Sequence, residues 1–499
     1  MRVLMVNPPI AERERGNPVI AQLFYNSMPL GIGYLAAIAE RGGHEAHIID
    51  AAVERLTMGE LQKRAADIRP DLIGVTALTT SFQSSQRTIK VLRGQFPDAF
   101  LMVGGPHISA WGLEAIGDLP VDAAIAGEGE CAFQDILAEV QEGRPVDTVP
   151  GIIVKNDDGR WAETGHRRLW QDMDTLPFPA RHLFKKNLYA PIPADYRALP
   201  KIPIYSARGC PYGCVFCDKS VFGARLRGKS PERTVDEMEH CVRDHGAKGI
   251  AFLDSTFGTN KRRAIEICEE ILRRGLKVDW TCTLRADSVD EATLRLYRQA
   301  GCWRVRLGIE TGDPEILRRM DKGENIEHIR RAAVAADKAG LQVKAFFQVG
   351  HMGETRESIK RTIAFAKSLP LMEATVQINT PMKNTPQEHM WPEYGRVISD
   401  NLTDSSFWEP VFVPHGFTPD ELVKWQNRFY REFLLRPSLW WRHLRHMRTV
   451  SDIKRYISAV KLVVFLMFNK ETGENAAVAP PDAKSGATHG ADASLEAAA

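Results

Sequence analysis

Ser206-Ala-Arg-Gly-Cys210-Pro-Tyr-Gly-Cys214-Val-Phe-Cys217-Asp218 grows out of the apolar run IPIYSA (202–207). Three cysteines in the order CxxxCxxC offer three thiolates from one short loop. An iron–sulfur cubane takes one ligand per iron, so three cysteines leave one iron open to a small chelating molecule. Gly209 and Gly213 let the loop wrap closely, and Phe216, just before the last cysteine, can shield the centre from water. A structural zinc site normally uses four protein ligands, often as two CxxC pairs. No second pair follows here, and His240 and His245 lie on helix-like text well downstream.

Working outward, Ile202 opens an alternating series. Strand-like text recurs at 202–207, 249–254, 278–284, 303–310, 343–350 and 374–379. Helix-like text lies between, as in Pro231–Asp244, Arg262–Arg274, Glu291–Ala300 and Ile326–Ala339. The pattern predicts a partial (β/α)6 barrel over 201–400, with functional groups at the carboxyl ends of its strands.

Upstream, residues 1–145 alternate in the same way. Strands are expected at 2–7, 47–50, 72–78, 100–105 and 123–127, with helices at Pro29–Glu40 and Met58–Ile68 among the segments between. That order implies a parallel, doubly wound, Rossmann-like sheet. Such sheets bind ligands beyond their strands' carboxyl ends. Those positions hold Thr76, Thr79, Thr80 and Ser81, then Gly104-Gly105-Pro106-His107, then Gly127-Glu128-Gly129. No GxGxxG follows the first strand, which weakens a dinucleotide reading, and tight turns alone would also use these glycines.

Residues 146–200 read as a connector that includes a hairpin-like GIIVKNDDGRWAE, and 401–470 as a helical region rich in aromatic and basic residues. Residues 471–499 are rich in Ala, Gly, Asp and Ser without periodicity and read as a disordered tail. Over the 499 residues, 44% are apolar, 26% are charged and the formal net charge is +2. That composition suits a soluble globular protein and gives no reason to expect nucleic acid as a partner. MRVLMVNPPI lacks a signal peptide's apolar core, and no run is long enough for a membrane span, so the cytoplasm is the expected compartment. Five further cysteines, at 131, 241, 268, 282 and 302, are scattered singly and read as small buried hydrophobes.

The three-cysteine loop at the start of a second α/β unit, behind a doubly wound unit with GGPH and GEGE, resembles the cobalamin (B12)-binding radical S-adenosylmethionine (SAM) enzymes. RGKSPERTVDE (227–237), FLDSTFGTN (252–260), TLRAD (283–287), RLGIETG (306–312) and VGHMGET (349–355) agree with it, and the likeness runs to about residue 440. The resemblance implies three cofactors: a [4Fe–4S] cluster on Cys210, Cys214 and Cys217, SAM on the open iron, and cobalamin. It implies SAM contacts from Phe216, Asp254, Ser255, Arg285, Glu310 and Gly350, where salt bridges or turns of the barrel rim are the plainer alternative. It places cobalamin against Thr76, Thr79, Thr80, Ser81, Gly104, Gly105, Pro106, His107, Gly127, Glu128 and Gly129. The DxHxxG of other B12 proteins is absent, and the resemblance leaves His107 off cobalt, which favours a reactive methyl–cobalt state. Family members usually carry Pro where this chain has His351-Met352. His351 is therefore a candidate catalytic residue, with a surface-turn histidine as the other reading.

The chemistry so implied is methylation of an unactivated carbon of a small molecule, with oxidative cyclisation or rearrangement as the alternative and a non-catalytic corrinoid carrier as a weaker one. An external one-electron reductant such as flavodoxin or ferredoxin follows from the cluster. Trp425, Phe429, Tyr430, Phe433, Trp440 and Trp441 beside Arg and Lys have two readings. They pack on the barrel, or they form an apolar lid or inner-membrane surface contact for a lipid or tetrapyrrole.

Overall fold

The computed structural model describes residues 1–10, 27–399 and 410–446. In the first unit, β1 (Arg2–Asn7), β2 (Glu45–Asp50), β3 (Leu72–Thr76), β4 (Phe100–Gly104) and β5 (Ala123–Ile125) run parallel. β6 (Ile152–Lys155) and β7 (Trp161–Glu163) extend that sheet antiparallel, giving the order 2-1-3-4-5-6-7. The hairpin in the stretch read as a connector is thus part of the first sheet. Alternate residues of β1 feed different cores. Val3 and Met5 pack with the helices Leu30–Arg41 and Glu130–Gln141, while Leu4 and Val6 pack with Met58–Ile68 and Phe82–Gln95. Burial on both faces is why these strands read as continuous apolar runs. The strand order reverses between β1 and β3, the place where doubly wound sheets open a crevice.

The second unit starts with β8 (Lys201–Ile204). The expected strand over 202–207 breaks after Ile204, because Ala207–Arg208 (β9) leaves to form a two-residue antiparallel ribbon with Arg227–Gly228 (β10). β11 (Gly249–Phe252), β12 (Asp279–Leu284), β13 (Cys302–Glu310), β14 (Gln342–Val349) and β15 (Glu373–Ile378) then add in sequence. The result is a six-stranded parallel sheet in the order 15-14-13-12-11-8, an open (β/α)6 barrel. Helix boundaries follow local chemistry. Pro231–His245 starts on Ser230, whose hydroxyl accepts from Arg233 N, and ends on left-handed Gly246.

β16 (Gly395–Val397) and β17 (Phe412–Pro414) make a small ribbon before the helix Pro419–Leu434. This helix buries Leu422, Phe429 and Phe433 in the barrel core, and Tyr430 Oη donates to Val376 O. Trp440 and Trp441, on the next helix (Pro437–His446), are exposed. The remaining helical text at 451–470 and the tail at 471–499 lie outside the described residues.

Candidate functional site

The loop between β9 and β10 carries the three cysteines. Gly209 has φ +84°, and a Cβ there would overlap the carbonyl of Arg225, so glycine is what lets the loop close on itself. Cys210 N donates to Gly223 O (3.2 Å), Val215 N to Met320 O (3.0 Å) and Gln387 N to Val215 O (3.1 Å). The loop is therefore tied to its own far end, to the segment after β13 and to the segment after β15. Cys210, Cys214 and Cys217 are all half-buried. Burial pushes Cys217 up to about 11, with Cys214 and Cys210 adding to it, and burial also raises Cys214 against the pull of Lys322 and Arg285. Thiols that raise one another in this way need a cationic centre to stay deprotonated. Among the described residues no three His, Cys, Asp or Glu side chains converge as a single metal ion requires. A cubane takes each cysteine on a different iron, so the three half-buried thiols of one loop offer a ligand to each of three irons.

Arg285 ends β12 beside this loop, and protein acceptors hold its donors. Its Nε and one terminal nitrogen hold Asp287 (3.0 and 2.7 Å), and Lys322 O takes a further bond at 2.6 Å. The guanidinium lies 3.7 Å from the Tyr212 ring centroid, with its other terminal nitrogen 3.9 Å from Cys214 Sγ. The geometry makes Arg285 a clasp on the cysteine loop. Lys322 was not anticipated from the sequence. It donates to Gly308 O at 2.6 Å and pairs with Glu324, whose Oε1 accepts from Ala286 N at 2.5 Å.

Glu310 ends β13 at φ +67°, a sparsely populated conformation for a non-glycine residue, where the β13–β14 register shifts. Burial pushes its carboxyl up to about 6, opposed by Lys322 and by Gln348, whose Nε2 donates at 3.1 Å. Strain of this kind, at a strand's carboxyl end, is characteristic of ligand sites. Asp254 is engaged by protein partners: its carboxylate accepts from Ser206 N (2.7 Å) and pairs with Ser206 Oγ, bracing β11 against β8. Ser255 is exposed. Gly350 has φ +79°, and a Cβ there would meet the Leu422 side chain at 3.3 Å.

His351 is buried, which removes the surface-turn reading. Its ring meets Phe216 edge-on at 6.2 Å, and its Nε2 lies 3.4 Å from Gln387 Nε2. Burial holds it down to about 4, so the ring is neutral at physiological pH. Glu354 Oε2 accepts from Gly350 N and from His351 N (3.1 Å), and burial pushes its carboxyl up to about 8. His351 Nδ1, Glu354 Oε1, Asn379 Nδ2 and Gln387 Oε1 are buried without a partner, a group of unmet polar atoms beside the cysteine loop.

On the first sheet, Thr76, Thr79, Thr80, Ser81, Gly104, Gly105, Gly127 and Gly129 are half-buried and Pro106 is exposed. They make one accessible rim at the carboxyl edge, suited to a broad, flat ligand. Gly105 has φ +110°, and a Cβ there would lie 2.8 Å from Ala77 O, so the loops after β3 and β4 can cross only with glycine. His107 sits below the rim, 3.8 Å from the Phe82 ring and 5.5 Å from the Trp111 ring. Its Nδ1 is 3.3 Å from Thr79 Oγ1, and burial lowers it to about 4.

Glu128, expected at the cobalamin edge, is engaged in buried ion pairs. Its carboxylate accepts from Arg208 (2.7 Å) and pairs with Arg227, while Arg208 also reaches Glu130 at 2.6 Å. Arg208 and Arg227 are cross-strand partners in the β9–β10 ribbon, and all four side chains are buried. Nearby, Arg181 and Lys229 pair with Glu237. At a second contact Lys383 lies 5.3 Å from the Trp111 ring and pairs with Glu114 (3.2 Å), while Asn384 bonds Ala110 O. These bridges set the carboxyl edge of the first sheet against the cysteine-bearing end of the barrel.

Comparison with known proteins agrees with this geometry. A model described as the radical SAM superfamily matches residues 204–366, and one described as the B12 binding domain matches 16–137. An uncharacterized methyltransferase of Pyrococcus horikoshii is 32% identical over 447 residues, covering 88% of this chain and 94% of its own. An anaerobic magnesium-protoporphyrin IX monomethyl ester cyclase of Rubrivivax gelatinosus is 28% identical over 444 residues, covering 87% and 78%. In fold, the chain is similar to the radical SAM methyltransferase TsrM from Kitasatospora setae, solved with cobalamin and a [4Fe–4S] cluster. There the TM-score is 0.69 at 17% identity, covering 92% of this chain and 99% of that one.

The chain belongs to the radical SAM enzymes that carry an amino-terminal cobalamin-binding domain. Its cofactors are those of that class: a [4Fe–4S] cluster, SAM and cobalamin. Among the described residues no helix is long and apolar enough to cross a membrane.

Proposed function

We propose that the protein transfers a methyl group from SAM, by way of cobalamin, to an unactivated carbon of a small-molecule substrate. The observation that carries this reading is the opposition of two sites: the accessible rim of the first sheet faces the three-cysteine end of the barrel across the buried ion pairs of Arg208 and Arg227 with Glu128 and Glu130 and the exposed pair of Lys383 with Glu114. Cys210, Cys214 and Cys217 hold the cluster in this reading, with the open iron left for SAM. Arg285 and Lys322 keep positive charge beside Cys214, and Phe216 closes the loop toward His351. Glu310, strained and buried, accepts hydrogen bonds from SAM. The rim residues Thr76, Thr79–Ser81, Gly104–Pro106, Gly127 and Gly129 carry the corrinoid. When bound, the cluster supplies the electron that cleaves SAM, and cobalamin carries the methyl group.

The reaction consumes two SAM molecules and two electrons from an external reductant. One SAM gives up its methyl group and leaves as S-adenosylhomocysteine. The other loses its C5′–S bond on reduction, releasing methionine. Its 5′-deoxyadenosyl radical takes a hydrogen atom from the substrate carbon and leaves as 5′-deoxyadenosine. The C–CH3 bond forms at that carbon.

Oxidative cyclisation is the second reading, favoured by the 28% identity to the anaerobic cyclase. Turnover with a genuine substrate separates them: methyl transfer gives S-adenosylhomocysteine alongside 5′-deoxyadenosine, and cyclisation gives 5′-deoxyadenosine without it. Of the aromatic residues considered for an apolar lid, Phe429 and Phe433 are buried in the barrel core. Exposed Trp440, Trp441 and Leu444 remain as the support for a membrane-surface contact. Co-sedimentation with anionic liposomes tests it, and protein left wholly in the supernatant argues against it.

A further inference from the structure

The last three barrel strands alternate between buried and half-buried residues. Val305, Leu307 and Ile309 of β13, Val343, Ala345 and Phe347 of β14, and Val376 and Ile378 of β15 are buried in the core shared with the surrounding helices. Arg306, Gly308, Phe346, Gln348, Glu373, Thr375 and Gln377 are half-buried on the opposite face. That face lines the barrel lumen, which is mostly polar. Register puts Arg306 beside Thr283 and Lys344, and Lys344 beside Glu373.

Four cations, Lys201, Arg304, Arg306 and Lys344, meet two carboxylates here, Asp195 and Glu373. Arg304 bonds Asp195 (3.2 Å) and Glu373 (2.8 Å), and Lys344 bonds the same two at 3.4 and 2.7 Å. Lys201 Nζ reaches only the Asp195 carbonyl, at 2.6 Å. Among the described residues no acceptor pairs with Arg306. Its charge is nonetheless felt: burial and then Arg306 bring Lys201 down to about 7. Thr281 is the register partner of Arg304, and both Thr281 Oγ1 and Arg304 Nε are buried without a partner. Asp195 feels Arg306 along with Lys344, Lys201 and Arg304, so two carboxylates serve four cations and an excess of positive charge is left for an ion of opposite sign.

We infer that Arg306 anchors an anionic group of the substrate, a carboxylate or a phosphate, inside the barrel lumen. This deepens the methyl-transfer reading, since it names the substrate of that same reaction as an anion. Arg306 precedes Glu310 by four residues on one strand. At ~3.3 Å per residue the anion site lies roughly 10–13 Å below the SAM end of the lumen. The substrate is then an elongated molecule, charged at the deep end and carrying its reactive carbon at the other.

Titration calorimetry of inorganic phosphate, and separately of glutarate, into the reconstituted enzyme saturated with SAM tests this. Wild type is expected to bind at least one of the two anions, Arg306→Gln to bind it at least tenfold more weakly, and Arg306→Lys to retain part of the affinity. Melting curves check that both variants are folded; losing an unpaired cation is expected to leave their midpoints unchanged or higher. Equal anion affinity in wild type and Arg306→Gln, or no binding to wild type, overturns the site. A tenfold loss of SAM affinity in Arg306→Gln assigns the anion to SAM's own carboxylate and also overturns it. Failure of the methyl-transfer reading would show separately, as wild-type enzyme that makes no S-adenosylhomocysteine.

Discussion

Glu128→Ala is expected to loosen the contact between the two units more than any other single carboxylate removal at their interface. The wild-type quartet is neutral: Glu128 and Glu130 against Arg208 and Arg227, all buried. Without Glu128, Arg208 keeps Glu130, but Arg227 keeps only the Trp170 carbonyl at 2.9 Å. Among the described residues neither Arg208 Nε nor Arg227 Nε has a partner, so none of them offers a spare acceptor. The Tyr34 ring, 4.8 Å from the Arg208 guanidinium, offsets a part of the loss. Breaking a buried pair from one side costs about 3–5 kcal/mol. At ~2–4 °C per kcal/mol for a large domain, the melting midpoint should fall by roughly 10 °C. Calorimetry should show one transition in wild type and a split one in the variant, as the first sheet melts apart from the barrel. Glu163→Ala, which removes the exposed partner of Arg167 at 3.9 Å, is the control and should cost less than ~1 kcal/mol. A Glu128→Ala midpoint within ~2 °C of wild type would mean that the quartet does not hold the two units together.

Cys214→Ser should drop bound iron from about four per chain to below one and bleach the cluster's visible absorbance, while circular dichroism stays native; retained iron would remove Cys214 from the ligand set. Glu354 holds its proton up to about 8, against 4.5 for an ordinary carboxyl, so its stabilisation is complete below pH 4.5 and is lost as pH rises through 8. Relative to wild type, Glu354→Gln should therefore gain stability between pH 5 and 9, on the order of 4–5 kcal/mol, in urea titrations; a pH-independent difference would place the titration elsewhere. His107 is buried, neutral and directed at Thr79 Oγ1. The paramagnetic resonance spectrum of the bound cobalt(II) corrinoid should thus lack nitrogen superhyperfine splitting, and a triplet splitting abolished by His107→Ala would contradict that.

The parts legible in the sequence are those whose signal is local. β1 is a run buried on both faces, so RVLMVN announces it directly. The cysteine loop is legible because its ligands lie within eight residues of one another. The partnerships were not legible, because they join residues far apart in the chain. Glu128 sits in a glycine-rich turn that looks like a ligand loop, and Arg208 is 80 positions away. Arg285 reads as a free cation until Asp287 and Lys322 are seen to hold it. The burial of His351 depends on Phe216 and Gln387, which other elements deliver. Lys322 carried no signal beyond its place after a short helix. Arg306 is conspicuous only once register shows that its neighbours' charges are already paired.

Methyl transfer is tested most directly with reconstituted enzyme, hydroxocobalamin, a low-potential reductant, a substrate extract and SAM carrying a trideuterated methyl group, followed by mass spectrometry. Methyl transfer predicts S-adenosylhomocysteine and 5′-deoxyadenosine in equal amounts, with a product heavier by the labelled methyl group. Turnover of a genuine substrate that yields 5′-deoxyadenosine but no S-adenosylhomocysteine and no label in the product would contradict it.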